Sequence, residues 1–372
     1  MKVLQLGKFY PVRGGVEKVM CDLMTGLAAR DIDCDMMCAE SSGKGTKNRL
    51  SPHSRLLTYR TWLKAAATMI SPSMPVNLRQ IAWEYDIIHV HHPDPMAALA
   101  LFTSGYKGKV VLHWHSDIVK QKKLLKFYLP LQSWLIKRAD VIVGTTVDYI
   151  KQSPYLAPVR NKTVCLPIGV TQIEPDPAGA EEIRREYAGK KIVYFLGRLI
   201  AYKGVEQLVA AARRLPDEYV VLIGGEGPLD ETIKRQIEEL GVGEKVKMLG
   251  RVPEEKIAAY YTACDLFCLP SVMQSEAFGI VLIEAMSLGK PVVATRIPGS
   301  GTAWVNAHKI SGLNVPVRDA EALANAITEI TKDPEQYAAY SRRAKERFNS
   351  LFKFESMIDG CESIYKSILK TQ

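Results

Sequence analysis

At 372 residues, 47% hydrophobic and 24% charged, the chain is too long for one ordinary core and suits two globular domains. No run of 18 apolar residues occurs, which excludes a spanning helix, and Met1-Lys2-Val3-Leu4 opens a strand, not a signal peptide. The seven cysteines have no paired spacing, which fits a reducing cytoplasm, and the net charge of +9 lies wholly in residues 1–180, with 23 Lys and Arg against 14 Asp and Glu.

Residues 2–6 read as the first strand. Arg13-Gly14-Gly15 then leads into a helix whose apolar face is Val16, Val19, Met20, Leu23, Met24 and Leu27. The glycines at its N-terminus would let a phosphate or sugar approach; a tight turn explains them equally well. Asp31-Ile32-Asp33 opens the strand 34–38 and reads as a turn, not as a D-x-D metal motif, and residues 41–75 read as irregular loops. The cysteine pairs at 34/38 and 264/268 read as core residues, not as metal ligands. Strands 86–90 and 110–113 run into His89-Val90-His91-His92 and His113-Trp114-His115. Such spacing could bind zinc, but no separate downstream ligand set accompanies it, so a single imidazole directed into a cleft is preferred and no metal is assigned.

Lys120, Lys122, Lys123, Lys126, Lys137 and Arg138 are interleaved with Leu124, Leu125, Phe127, Tyr128, Leu129, Leu131 and Trp134. This pattern suits a helix on an anionic membrane surface. A solvated helix with snorkelling lysines is the plainer reading, and nucleic acid is disfavoured because no recognised binding module accompanies the charge. Strands at 141–143 and 163–166 follow, then a Pro- and Gly-rich hinge at 167–179.

The second half repeats the alternation, with strands at 192–196, 219–223, 246–249, 266–269 and 291–294. The fold class is therefore α/β: two Rossmann-like doubly wound domains, with ligand sites at the carboxyl ends of the strands and a cleft between domains as the expected active site. Gly197-Arg198-Leu199-Ile200-Ala201-Tyr202-Lys203-Gly204 could hold an anion after the first of these strands. Gly224-Gly225-Glu226-Gly227-Pro228 departs from the dinucleotide fingerprint, because Asp230 takes the third glycine's place. Most informative is Ser275-Glu276-Ala277-Phe278-Gly279-Ile280-Val281-Leu282-Ile283-Glu284. A helix apolar all round is buried, so Glu284 is expected inside and Glu276 at the mouth, with the free N–H groups of the helix N-terminus between them.

In sequence order, Gly14-Gly15, His115, Gly197-Arg198…Lys203-Gly204, Gly225-Glu226-Gly227-Pro228, Gly250-Arg251-Val252 and Glu276-x7-Glu284 resemble the family-four retaining glycosyltransferases of GT-B architecture, across essentially the whole chain. Ile168 stands where many members carry asparagine. The resemblance implies an acceptor-binding domain at 1–168, a nucleotide-sugar domain at 169–353 and a terminal helix at 354–372 crossing back to the first domain. It gives Arg198 and Lys203 the donor diphosphate, with the N–H groups of Phe278, Gly279 and Ile280. Glu284 takes the ribose, Glu276 the sugar hydroxyls, and the backbone of Arg251 and Val252 the base; Gly225 lines the donor site. Gly15 and His115 lie near the β-phosphate and the sugar. The implied enzyme is a metal-independent hexosyltransferase without cofactor, moving mannose or glucose from a GDP- or UDP-sugar to a lipid-linked or oligosaccharide acceptor in surface-polysaccharide synthesis. It would work in the cytoplasm, peripheral to the inner face of the plasma membrane. Alternatives are a sugar-nucleotide epimerase of the same architecture, a nicotinamide-dependent oxidoreductase and a non-catalytic nucleotide-sugar binder.

Overall fold

A computed structural model describes all residues except Arg13, Ser42, residues 66–67, residues 119–121 and the last two; the side chains of Lys122 and Lys123 are also outside the description. The chain divides into two compact units, unit 1 being Met1–Ile168 with Glu355–Gln372 and unit 2 being Gly169–Phe354.

Unit 1 is built on strands β1 (Lys2–Tyr10), β2 (Asp33–Glu40), β3 (Lys47–Ser51), β4 (Ser54–Arg60), a small hairpin of β5 (Leu63–Ala65) and β6 (Thr68–Ile70), β7 (Ile87–His92), β8 (Lys109–Trp114), β9 (Val141–Gly144) and β10 (Thr163–Cys165). The main sheet runs β10-β9-β8-β7-β1-β2-β4-β3 and is parallel except for β3. Central strands covered on both faces are mainly apolar, and Val3, Leu4, Leu6, Ile87, Ile88 and Val90 are all fully buried. Residues 41–75 are thus not mere loops: β4 adds a parallel strand beside β2, and β3 caps the edge. The charged, exposed edge sequence Lys47-Asn48-Arg49 hides this from a hydrophobicity reading while keeping the sheet from pairing further.

Strand order reverses between β1 and β7, which makes the carboxyl ends of these strands a switch point where ligands bind in such sheets. β1 runs past its expected end and shifts register between Leu6 and Phe9; Gly7 and Lys8 take φ of 142° and 56° there. The shift turns the Lys8 N–H onto the Asp94 carboxylate, which also caps helix Pro95–Ser104 by accepting from Met96 N at 2.9 Å. Helix Phe354–Lys370 buries Met357, Ile358, Cys361 and Tyr365, all but its first residue counted in unit 1.

Unit 2 carries β11 (Lys191–Leu196), β12 (Tyr219–Gly224), β13 (Val246–Gly250), β14 (Leu266–Leu269), β15 (Val292–Arg296) and β16 (Gly312–Pro316) in a wholly parallel sheet ordered β13-β12-β11-β14-β15-β16. The last strand escapes a sequence reading because Gly312, Asn314 and Pro316 dilute its apolar residues. The expected hinge at 167–179 ends in helix Pro177–Glu186, started by Asp176, whose carboxylate accepts from Gly179 N at 3.0 Å. No helix among the described residues is long and apolar enough to cross a membrane.

Candidate active site

The unit 2 sheet reverses its order between β11 and β14, and two of the sequence-predicted segments lie at the carboxyl ends of those strands. The loop after β11 carries Arg198 and Lys203; the loop after β14 carries Glu276 and the start of helix Ile280–Ser287. A backbone bond from Val272 N to Tyr202 O at 2.8 Å ties the two loops together. Gly204, at φ 63°, allows that approach, since a Cβ there would meet Pro270 O at 2.3 Å.

Lys203 and Glu276 form an ion pair at 2.6 Å with 11% and 10% of their side chains exposed. Glu276 also accepts from Ser271 Oγ at 2.9 Å, and its backbone carbonyl accepts from Ser300 Oγ. Arg198 is exposed and has no partner among the described residues. The N–H groups of Phe278, Gly279 and Ile280 likewise have no acceptor among the described residues. Phe278 is buried edge-on against Phe352 with ring centroids 6.0 Å apart, which anchors this turn. Two cations, N–H groups without an acceptor among the described residues and one paired carboxylate thus lie on two adjoining loops at one end of the sheet, a donor set suited to a diphosphate with sugar hydroxyls.

The two glutamates exchange the burial expected of them. Glu276 is the buried one, whereas Glu284 is partly exposed on a stripe with Ile280, Val281 and Leu288. The helix spans only eight residues, and nothing in unit 2 covers that stripe fully, so an all-apolar sequence does not mean a helix enclosed on every side. Glu284 accepts from the fully buried Tyr261 hydroxyl at 2.9 Å, and burial, then this carboxylate, push the phenol well above its usual range. Tyr261, Ser271 and Ser300 carry no sequence motif and could not be assigned to the site without the fold.

Gly225 lies beside the Arg198 loop. Its φ is +129°, and a Cβ would stand 1.9 Å from Gly197 O. Gly225→Ala is therefore expected to destabilise the protein by roughly 2–4 kcal/mol through strain and displacement of the 197–199 loop. Urea denaturation measures this, and a midpoint equal to wild type would refute it. Gly225 N donates to Gly250 O at 2.7 Å, bringing in the next segment, where Arg251 and Val252 line a depression of about 560 Å³ with Pro253, Glu254, Glu255 and Ile257.

Gly15 and His115 belong to unit 1. Gly15 is exposed at the start of helix Gly15–Ala28; Arg13 lies outside the described residues. The structure packs four imidazoles together here: His89, His91, His113 and His115 have neighbouring ring centroids 4.1–5.3 Å apart. Alternation along each strand puts these residues on one face, and the β7–β8 register sets His91 opposite His113. Burial holds all four imidazoles, and His92 beside them, far below the ordinary histidine range, so they are neutral at pH 7. Possible ligand atoms of His91, His113 and His115 lie within 4.8 Å of one another. His91 Nδ1 and His115 Nε2 instead meet each other at 2.9 Å as a hydrogen-bonded pair, so these two ring nitrogens are spent on each other and not turned toward a common metal position.

Comparison with known proteins decides the family. Residues 180–347 match the Glycosyl transferases group 1 domain, and residues 13–150 match Glycosyltransferase Family 4. An O-antigen chain mannosyltransferase C of Escherichia coli is 32% identical over the full length of both chains. The chain belongs to this family of GT-B glycosyltransferases. A D-rhamnosyltransferase of Pseudomonas aeruginosa is also 32% identical to the glycosyltransferase, over 95% of this chain and 92% of the relative. HepE of Anabaena in complex with UDP shares its fold at a TM-score of 0.80 and 21% identity, covering 99% of this chain and 100% of that one. The relatives establish it as an enzyme, a hexosyltransferase.

Proposed function

We propose that the enzyme transfers a hexose, mannose or glucose, with retention of configuration from a GDP- or UDP-sugar to a lipid-linked glycan acceptor in surface-polysaccharide synthesis. The observation that carries the donor half is the grouping at the unit 2 switch point of Arg198 and the N–H groups of 278–280, all without a partner among the described residues, with the Lys203–Glu276 pair. Cleavage of the sugar–phosphate bond leaves negative charge on the departing diphosphate, and fixed cations and N–H dipoles at that position stabilise it without a metal ion. Glu276 then exchanges part of its bond to Lys203 for the sugar hydroxyls, Glu284 accepts from the ribose, and the backbone of Arg251 and Val252 reads the base. His115 and Gly15 are assigned to the sugar and β-phosphate by family resemblance.

The lipid-linked acceptor is supported by the E. coli O-antigen relative, by a phosphatidylinositol monomannoside mannosyltransferase of Mycolicibacterium smegmatis that is 33% identical over 91% of both chains, and by unit 1 itself. A pocket of about 450 Å³ there is lined by Lys8, Ile70, Met96, Leu99, Leu125 and Leu131, with Phe127 and Leu124, 85% and 54% exposed, at helix Lys122–Arg138. Lys126 and Lys137 are exposed on that helix, but Arg138 is not part of a membrane face. Its guanidinium donates to the Gly108 and Tyr106 carbonyls and pairs with Asp140. Lys120 lies outside the described residues.

Two measurements test the proposal. Nucleotide sugars, GDP-mannose and UDP-glucose first, are screened for thermal stabilisation and slow hydrolysis; one donor is expected to score in both, and none scoring defeats the donor assignment. Phe127→Asp is expected to weaken binding to anionic vesicles roughly tenfold, the loss of one buried aromatic side chain. Equal vesicle binding by variant and wild type would remove the membrane from the reading.

A further inference from the structure

The histidine stack is not an inert core. Its hydrogen bonds form one unbroken chain from His115 to helix Phe354–Lys370, passing through Gln5 in the middle of β1. Gln5 is fully buried, a polar side chain set among the buried apolar residues Val3, Leu4 and Leu6 of β1. Its Nε2 donates to the Tyr365 hydroxyl at 3.0 Å and faces Cys34 Sγ at 3.5 Å. Its Oε1 therefore points at His91 Nε2, 2.8 Å away.

The positions of the ring protons follow from this. A carboxamide oxygen only accepts, so His91 Nε2 carries the hydrogen. A neutral imidazole has one N–H, which makes His91 Nδ1 an acceptor. The 2.9 Å contact between His91 Nδ1 and His115 Nε2 is then donated by His115. His115 is left with a bare lone pair on Nδ1, for which the described residues supply no partner. At the other end Tyr365, accepting from Gln5, donates its own hydrogen to His89 Nδ1 at 2.6 Å.

We propose that Gln5 is a positioning residue: acting through His91, and itself anchored by Tyr365, it holds His115 as the Nε2–H tautomer so that Nδ1 accepts a hydrogen bond from a hydroxyl of the transferred sugar. This rests on the placement of His115 at the sugar given above. An imidazole held in the other tautomer would present an N–H there and could accept nothing, so the tautomer sets which way a sugar hydroxyl must donate.

The test uses the full chain labelled with ¹⁵N-histidine, in which two-bond ¹⁵N–¹H correlations identify the protonated ring nitrogen, His115 being assigned from the spectrum of His115→Gln. Wild type is expected to carry the hydrogen on Nε2 of His115. Gln5→Leu is expected to relax His115 to a mixture of tautomers and to lower kcat about tenfold, the worth of one hydrogen bond, with the donor KM little changed. Gln5→Glu, which still accepts from His91 Nε2, is expected at pH 8 to keep the wild-type tautomer and more activity than Gln5→Leu. A packing role predicts the reverse order, because a buried core tolerates leucine better than a carboxylate. Nδ1–H in wild-type His115, or an unchanged tautomer in Gln5→Leu, overturns the inference. The wild-type spectrum decides even if the Gln5 variants fail to fold, and Tyr365→Phe, which removes only a hydroxyl, gives a milder second perturbation. Full activity in His115→Ala with the expected tautomer present would instead defeat the placement of His115 at the sugar and leave the proton assignment standing.

Discussion

Acidification from pH 7 to about pH 5 is expected to unfold unit 1 in one steep transition. His89, His91, His92, His113 and His115 are buried and neutral, with His113 pushed down to about 3 and the others also lowered by burial. In the unfolded chain each would titrate near 6.5, the ordinary histidine value. Below that pH the unfolded state binds protons that the folded state refuses, so the stability present above about 6.5 is lost as pH falls. Each group contributes about 1.4 kcal/mol per pH unit, and five together about 7, enough to exhaust an ordinary domain's 5–15 kcal/mol within one or two units. Asp94 and Asp22, both raised by burial, act in the opposite direction but are two groups against five. Tryptophan fluorescence and far-ultraviolet circular dichroism across this range measure the transition, and the slope gives the number of protons taken up. A protein still folded at pH 4 would mean that the stack accepts charge in place.

The second large effect separates the two cations of the donor site. Arg198→Ala is expected to lower kcat/KM by roughly 10²–10³ while leaving the melting temperature unchanged, because its guanidinium has no described partner to lose. Lys203→Ala is expected to lose as much rate and, in addition, about 3 kcal/mol of stability, since it strands the buried Glu276 carboxylate without its counter-ion. Adding Glu276→Gln to Lys203→Ala removes the stranded charge and should recover the stability but not the rate. Single-turnover kinetics beside thermal melts report both quantities. If Arg198→Ala retains wild-type kcat/KM, the diphosphate does not bind where the loops after β11 and β14 meet.

Much of this architecture can be read in the sequence because buried parallel strands are written as short β-branched runs with helical periodicity between them. The placement of Arg198, Lys203, Glu276 and Gly279 on the loops after two strands is also legible, since each segment follows a recognisable apolar run. What resists reading is whatever depends on coverage or on distant pairing. The open stripe of helix Ile280–Ser287 cannot be told from its residues, so Glu284 reads as buried when it is the more exposed of the pair. Strand β3 is charged where strands are expected to be apolar, because an edge must repel further pairing. The alternation 89, 91 and 113, 115 announces two histidine faces, but their stacking needs the β7–β8 register. Gln5 and Tyr365, 360 positions apart, meet only in three dimensions.

That last contact bears on how the protein comes to exist. The core of unit 1 is completed by Met357, Ile358, Cys361 and Tyr365, supplied by residues made after the whole of unit 2. Emerging from the ribosome, the first 168 residues must therefore wait, with the seat for that helix open and Gln5 short of its hydroxyl partner, until all of unit 2 has been made. The folding of unit 1 thus depends on a segment that lies beyond unit 2 in the chain.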